Sequence, residues 1–369
     1  MHLLINGRFL SRPLSGVDRT AQELIRALVA QQPGRPLQID CAVPRDAPED
    51  ATIRQRLTLP ATSRIHRSSW RGYAFEQLAL ARIAPQAMLL SLCNIGPVAR
   101  QRQLILIHDA QVHDAPESYT PAFRAAYALL QPRLARRARH VATVSDHSRR
   151  RLLANGIGRP GSIAVIANGV DHLDRVAPDH SIIERLRLEA QSYVLALTHP
   201  APHKNLALLH RVYPTGDPSL PPLVLVGPRS NEPGDDRIRY TGRISDGELK
   251  ALYAGARMFL FPSLTEGFGF PALEAMTCGC PVIAARAGAI PEVVGDAAIL
   301  LDPHNADGWL SAIIALSQDA TARDALTRAG RQRAARFTWD RAARQVLDLL
   351  GAGATAASDP ASCRQSVPA

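Results

Sequence analysis

Long apolar stretches, paired cysteines and lysine are all scarce in this 369-residue chain. Because no run of about 18 or more apolar residues occurs, we predict no transmembrane helix. The N-terminal residues enter a strand-like pattern at once and lack the layout of a signal peptide, so we expect a cytoplasmic protein. The five cysteines are scattered apart from one Cys-x-Cys. Their odd number and spacing predict neither a disulfide framework nor a zinc site.

Only two of the 43 Lys and Arg residues are lysines, and the positive charge lies mainly in the first half. Residues 1–176 hold 24 Arg against 13 Asp and Glu. One segment carries seven arginines against a single Asp: Arg133, Arg136, Arg137, Arg139, Arg149, Arg150 and Arg151. Such a patch can be a solvated helix face, or can contact nucleic acid or an anionic membrane. Because no nucleic-acid-binding signature accompanies it, we expect a membrane surface and no nucleic-acid partner.

Short apolar runs alternate with segments of helical periodicity along most of the chain. The predicted strands are Leu3–Ile5, Ile39–Val43, Met88–Leu92, Leu104–Ile107, His140–Val144, Ile163–Ile166, Tyr193–Leu197, Leu223–Val226, Ile238–Thr241, Met258–Phe261, Val282–Ala284 and Ala298–Leu301. This alternation predicts α/β domains whose parallel sheets are covered by helices on both faces. Since the pattern restarts, we predict two doubly wound domains at 1–176 and 192–339, a linker at 177–191 and a disordered tail at 351–369.

The segment from Pro262 to Met276 combines two carboxylates with a glycine-containing turn. Gly267 and Gly269 follow a predicted strand that Glu266 is expected to end, and Pro271 suits the first position of a helix. Exposed amides at such a turn favour anionic or hydroxyl-rich groups. With Glu274 one turn into the helix, we interpret the segment as a sugar-nucleotide site. An acid in a first helical turn can also be only a partner of the helix dipole.

Other polar residues follow predicted strands at the edge where ligands of such sheets bind. Lys204 lies at a strand-to-helix turn from which a lysine can contact a diphosphate, whereas Lys250 is expected to be solvated. Gly16 lies in a turn that suits a close approach of backbone to phosphate. His108 stands beside Asp109, which can orient it as a donor to sugar or leaving-group oxygens.

Together these residues resemble the signature of family 4 of the retaining glycosyltransferases. The second half contributes the run from Glu266 to Val282, His203-Lys204-Asn205, Thr241-Gly242-Arg243-Ile244, the run from Pro291 to Ala298, and Phe337-Thr338-Trp339. The first half contributes Asn6-Gly7-Arg8-Phe9-Leu10, Ser15-Gly16-Val17, His108-Asp109, Thr143-Val144-Ser145 and Asn168-Gly169-Val170-Asp171. The resemblance implies a GT-B architecture, in which two Rossmann-like domains face each other and the last helix, near residues 340–350, packs back on the first.

The resemblance also implies roles for individual residues. Glu274 would bind the ribose hydroxyls and Lys204 the donor phosphates, while Gly16 would contact the diphosphate. Glu266 and the backbone of Phe268, Gly269 and Phe270 would bind the hydroxyls of the transferred sugar, and His108 would contact this sugar and the acceptor. The catalytic candidates are therefore Glu266, His108 and Asp109. Arg243 and Ile244 would border the base. Many relatives have an arginine where this chain has His199, and His203 would supply part of the missing positive field.

We therefore expect a retaining hexosyltransferase that needs no metal and no cofactor besides its nucleotide-sugar donor. The subgroup resembled here uses mannose or deoxyhexose donors in bacterial surface polysaccharide synthesis. We expect mannose from GDP-mannose as the donor and a lipid-linked or polysaccharide acceptor. Two alternatives stay open. Gly267-x-Gly269-x-x-Ala272 also fits a nicotinamide-dependent oxidoreductase, although no acidic residue follows a strand at the expected distance. A non-catalytic protein that keeps the fold is the other alternative.

Overall fold

The computed structural model describes residues 1–31, 37–213, 220–228 and 237–355, with side chains up to residue 351. Their strands form two sheets in which all neighbouring strands pair in parallel. One sheet lies in the first half of the chain and the other in the second. This confirms the predicted α/β class.

The first sheet has seven strands in the order β3-β2-β1-β4-β5-β6-β7. They are β1 (His2–Asn6), β2 (Gln38–Val43), β3 (Ile65–Arg67), β4 (Met88–Ser91), β5 (Gln103–Leu106), β6 (His140–Thr143) and β7 (Ile163–Val165). The middle strands are buried on both faces, which is why they read as continuous apolar runs. The short edge strand β3 was not predicted, because two of its three residues are polar and none is buried.

The second sheet has six strands in the order β10-β9-β8-β11-β12-β13. They are β8 (Val194–Leu197), β9 (Leu223–Val226), β10 (Ile238–Tyr240), β11 (Met258–Phe261), β12 (Val282–Ala285) and β13 (Ile299–Leu301). In both sheets the strand order reverses next to the first strand, between β1 and β4 and between β8 and β11. Ligands of open parallel sheets bind at such a reversal, outside the carboxyl ends of the strands.

Helices connect the strands. They are α1 (Gly16–Ala30), α2 (Asp50–Leu57), α3 (Gly72–Ala74), α4 (Gln111–Asp114), α5 (Pro121–Arg137), α6 (Asp146–Ala154), α7 (Ser181–Arg185), α8 (Leu206–Val212), α9 (Asp246–Gly255), α10 (Phe270–Thr277), α11 (Ile290–Val294), α12 (Ala306–Gln318), α13 (Ala320–Ala334) and α14 (Trp339–Thr355). Short 3₁₀ segments include Asp171–Arg175 and Pro202–Lys204. None of the helices in the described ranges is long and apolar enough to cross a membrane.

The last helix, α14, packs against α1 of the first half. Trp339 at its start is buried, and its backbone N–H donates to the carboxylate of Asp171 at 2.8 Å. The backbone at Gly169 also packs closely against Trp339. A Cβ added at this glycine would lie 2.2 Å from the Trp339 backbone nitrogen. The predicted disordered tail begins at residue 351, whereas α14 continues to Thr355. The remaining tail residues, 356–369, lie outside the described residues.

Candidate active site

A cavity of about 410 Å³ lies between the carboxyl edges of the two sheets. Both halves line it. The first half contributes Ser15, Gly16, Val17, Arg19, His108, Asp109, Gln111, Val144 and Asn168, and the second contributes Lys204, Asp246, Leu249, Glu266, Gly267, Phe268, Gly269, Phe270, Pro271 and Glu274, with Leu173 at the junction. Most of the predicted site residues are therefore brought into one space, although they are spread over more than 250 positions of sequence.

The loop between β11 and α10 forms one wall of the cavity. Gly269 has φ of +108°, a conformation that favours glycine, and α10 begins directly after it. Gly267 touches the other half of the protein, because an added Cβ would lie 2.7 Å from Cβ of Asp109. The hydroxyls of Ser145 and Ser148 donate to the Gly267 carbonyl at 2.7 and 2.9 Å. The loop is thus held by contacts from both halves.

Lys204 and Glu266 form an ion pair inside the cavity, with Nζ 2.7 Å from Oε1. Lys204 ends the 3₁₀ turn that follows β8, and the amide of Asn205 donates to the carbonyls of Pro262 and Pro303 at 3.1 and 2.9 Å. Glu266 does not end β11 as predicted, because the strand stops at Phe261. Its carboxylate instead stands in the loop, where it can contact Lys204.

Glu274 lies in the second turn of α10, and its side chain is 12% exposed. The nearest described basic group in an ion-pair geometry is Nε2 of His172, 3.5 Å from Oε1. His172 was not identified from the sequence, although it directly follows the motif Asn168-Gly169-Val170-Asp171, because that motif does not include it. Only the fold places it beside Glu274.

The expected role of His108 as a hydrogen-bond donor is corrected by its contacts. Its Nε2 lies 2.9 Å from the carbonyl oxygen of Leu92. A carbonyl can only accept, so Nε2 carries the hydrogen and Nδ1 is left as an acceptor. Burial lowers the pKa of His108 to about 4, so the ring is neutral at neutral pH. Its orientation comes from Leu92 and not from the adjacent Asp109.

Asp109 faces the second half across the cavity. Desolvation raises the pKa of its carboxyl to about 6, although the backbone N–H of Gln111 donates to it at 3.0 Å. The charge of Glu266 raises this pKa further, and the charge of Lys204 opposes the rise. A carboxyl group with a raised pKa is typical of functional sites as well as of buried structural networks.

Gly16 begins α1, whose N-terminus is closed by a capping box between Ser15 and Asp18. Arg12 donates to the Asp18 carboxylate at 2.5 and 2.9 Å and so holds this cap in place. An added Cβ at Gly16 would meet no atom within 4 Å. The first turn of α1 therefore borders open space, where a ligand could approach the helix N-terminus.

Three residues predicted for donor binding lie outside the lining of this cavity: His203, Arg243 and Ile244. His203 is buried with Nδ1 3.2 Å from the Ser118 hydroxyl, and burial lowers its pKa, so it adds no positive field at neutral pH. The solvated state expected for Lys250 is wrong. Its Nζ donates to two carbonyls at the junction, of Leu173 and Val176, at 2.7 and 2.9 Å.

Contacts between the halves surround the cavity. Glu292 accepts from the backbone N–H groups of Asp146 and His147, at 2.7 and 2.9 Å, and so caps α6 from the opposite half. Arg19 pairs with Asp246 at 2.8 Å. No group of His, Cys, Asp and Glu that could hold a metal ion occurs among the described residues.

The comparisons with known proteins agree on a family. A model of glycosyl transferases group 1 matches residues 189–333. An O-antigen chain mannosyltransferase of Escherichia coli is 32% identical over 273 residues, which are 68% of this chain and 71% of that protein. An O-antigen chain mannosyltransferase of Salmonella typhimurium is 25% identical over 276 residues, covering 71% and 75% of the two chains.

Among solved structures, a sucrose-phosphate synthase from Thermosynechococcus elongatus is similar over the whole chain. The TM-score is 0.69 at 20% identity, and the match covers 97% of this chain and 99% of that one. This likeness concerns the fold alone. It confirms the predicted GT-B architecture of two facing parallel-sheet halves.

Proposed function

The chain belongs to the group 1 glycosyl transferases, and we propose that it transfers mannose from GDP-mannose. The acceptor would be a lipid-linked saccharide or a polysaccharide in bacterial surface polysaccharide synthesis. The two similar O-antigen chain mannosyltransferases support the sugar and the pathway class. The observation that carries the proposal is the cleft, where Lys204, Glu266 and Glu274 line one cavity with Gly16 and His108. With the family established, the nicotinamide hypothesis is withdrawn.

The Lys204–Glu266 ion pair suggests how the donor binds. A diphosphate brings its own negative charge, so Lys204 can exchange part of its contact with Glu266 for phosphate oxygens. The Glu266 oxygen released in this way can accept from hydroxyls of the transferred sugar. During transfer, charge accumulates on the departing diphosphate, where Lys204 and the N-terminus of α1 stabilise it.

We further propose retention of the anomeric configuration without a protein nucleophile or a metal. The acceptor would attack from the face of the leaving phosphate, which takes the acceptor proton. His108 fits this scheme as an acceptor for a sugar or acceptor hydroxyl, because its Nδ1 carries no hydrogen in the neutral ring. Product anomer analysis by NMR tests retention, and assays with and without EDTA test the metal independence.

A donor screen by nucleotide release tests the substrate. Across GDP-, UDP- and dTDP-sugars, GDP-mannose should give the fastest transfer, and K204A and E274A should each reduce the rate at least about tenfold. Arg328→Ala, which removes an exposed cation on α13 outside the cavity, is the matched control. Unchanged rates in K204A and E274A would contradict the proposed site. Donor hydrolysis without acceptor would exclude the non-catalytic alternative.

We also propose that α5 contacts an anionic membrane surface. The seven arginines of the patch divide between two helices and the turn after α5. On α6, Arg149 pairs with Asp146 and Arg151 pairs with Asp114. Within the described ranges Arg133 on α5 instead donates only to the Leu129 carbonyl of its own helix, and the Leu129 side chain is 53% exposed. A cation beside an exposed apolar side chain suits a lipid interface.

Vesicle sedimentation distinguishes the contributions of α5 and α6 to membrane binding. Replacing Arg133 and Arg136 by Ser should strongly weaken binding to vesicles that contain an anionic lipid, and binding of the unchanged protein should weaken with salt. Replacing Arg149 and Arg151, which are already paired, is the matched control and should have a smaller effect. Binding that is absent or insensitive to salt would contradict the proposal.

A further inference from the structure

His172 lies in the 3₁₀ segment Asp171–Arg175, at the junction of the two halves, and is 2% exposed. Its Nε2 is buried and makes no hydrogen bond within the described residues. Buried polar groups are nearly always satisfied, so such an atom calls for an explanation. Its surroundings offer one, because the ring lies near Glu274 and Phe270 of the cavity and near Trp339 at the start of α14.

The tautomer of His172 follows from one contact. The indole Nε1 of Trp339 lies 3.4 Å from Nδ1 of His172. An indole can only donate, so Nδ1 accepts and the neutral ring carries its hydrogen on Nε2. The unsatisfied atom is therefore an N–H donor.

This donor lies near the predicted ribose-binding carboxylate. Nε2 lies 3.5 Å from Oε1 of Glu274, somewhat beyond a normal hydrogen bond. The ring contacts two aromatic side chains, edge-on to Phe270 at 6.4 Å and tilted against Trp339 at 6.3 Å. Since Trp339 begins α14, the position of the ring depends on the helix that packs back on the first half.

We propose that His172 is a positioning residue for Glu274. When a nucleotide enters, the carboxylate closes on Nε2–H, as contacts that are long without substrate often do. One oxygen of Glu274 then accepts from His172, and the other is left to accept from the ribose hydroxyls. This inference rests on the proposed ribose role of Glu274.

Calorimetric titration with GDP, UDP and their 2′,3′-dideoxy counterparts tests the proposal. The unchanged protein should prefer the better-bound ribonucleotide over its dideoxy form by about tenfold or more. H172F keeps the aromatic contacts and removes the N–H, so it should weaken ribonucleotide binding about tenfold and leave dideoxy binding within about twofold. In a protein that already carries E274Q, adding H172F should cause little further loss of affinity for the ribonucleotide. H172Q, which keeps an N–H donor, should retain part of the preference.

The outcomes separate this inference from the function on which it rests. If E274Q keeps the preference for the ribonucleotide, the ribose role of Glu274 fails. If E274Q loses the preference and both H172F and H172Q keep it, the positioning role of His172 alone is overturned. Equal losses for both nucleotide forms in H172F would assign His172 a purely structural role and would also overturn the proposal. His140→Phe is the matched control, because it removes another buried Nε2 that has no hydrogen-bond partner in the part of the chain that the structure describes. His140 lies at the start of β6, at the end of the sheet opposite the cavity.

Discussion

Replacing Asp109 by Asn should stabilise the folded protein at neutral pH while reducing transfer. The pKa of the Asp109 carboxyl is about 6 in the folded chain, against an ordinary value of 3.8. The folded state therefore binds more protons than the unfolded state between these values, and stability falls as the pH rises through them. The difference corresponds to up to about 3 kcal/mol of unfolding free energy. Asn keeps the shape and the acceptor for Gln111 but carries no charge. D109N should therefore raise the free energy of unfolding by most of this amount above pH 6 and leave it unchanged below pH 4.

Urea denaturation at several pH values between 4 and 8 measures this effect. Asp114→Asn is the matched control in the same half of the protein. Burial alone would raise the pKa of Asp114, but hydrogen bonds from Arg151 and Asn155 lower it. That variant should therefore lose stability at neutral pH, and the loss should disappear as the pH falls. If D109N matches the unchanged protein at pH 7, or differs from it by the same amount at pH 4 and pH 7, the reasoning is refuted.

Three further substitutions probe the junction of the halves. Lys250→Met leaves two carbonyls without their donor and should lower the free energy of unfolding by about 2 kcal/mol, with K250R as a control for charge. Glu292→Gln removes half of the cap on α6 and should weaken the contact between the two halves by about 1 kcal/mol. Small-angle scattering should then give a larger radius of gyration. An unchanged scattering profile would contradict this. Gly169→Ala forces a Cβ against Trp339 and should cost about 2 kcal/mol or more. Thermal unfolding measures that cost, and G16A, where the added Cβ meets open space, should melt as the unchanged protein does.

Much of the fold could be predicted from the sequence because buried parallel strands are almost continuous apolar runs. All twelve predicted strands are present, most with ends shifted by a residue. The edge strand Ile65–Arg67 was missed, since an edge strand needs no apolar pattern. The start of α1 at Gly16 follows from the Ser15 cap, a signal that apolar periodicity does not contain.

Only part of the candidate site could be predicted from the sequence. Glu266, Glu274 and Lys204 follow β8 and β11, and the sequence motifs identified all three. By contrast, His203 lies in the same motif as Lys204, yet it packs against Ser118 of the other half. A motif specifies which residues are close in the chain, but it does not specify which of two neighbours faces the ligand. That depends on the turn, here a 3₁₀ turn with Asn205 in the left-handed region at φ +57°.

The two parallel sheets, the carboxylate-bearing loop and the family could all be predicted from local patterns of residues along the chain. Which groups titrate, donate or accept depends on the packing of distant segments. The Leu92 carbonyl makes His108 an acceptor, Glu266 pairs with Lys204, and Trp339 donates to Nδ1 of His172. Each of these contacts joins residues far apart in sequence. Hydrogen-bond direction and desolvation depend on distances between atoms, which only the packed fold establishes.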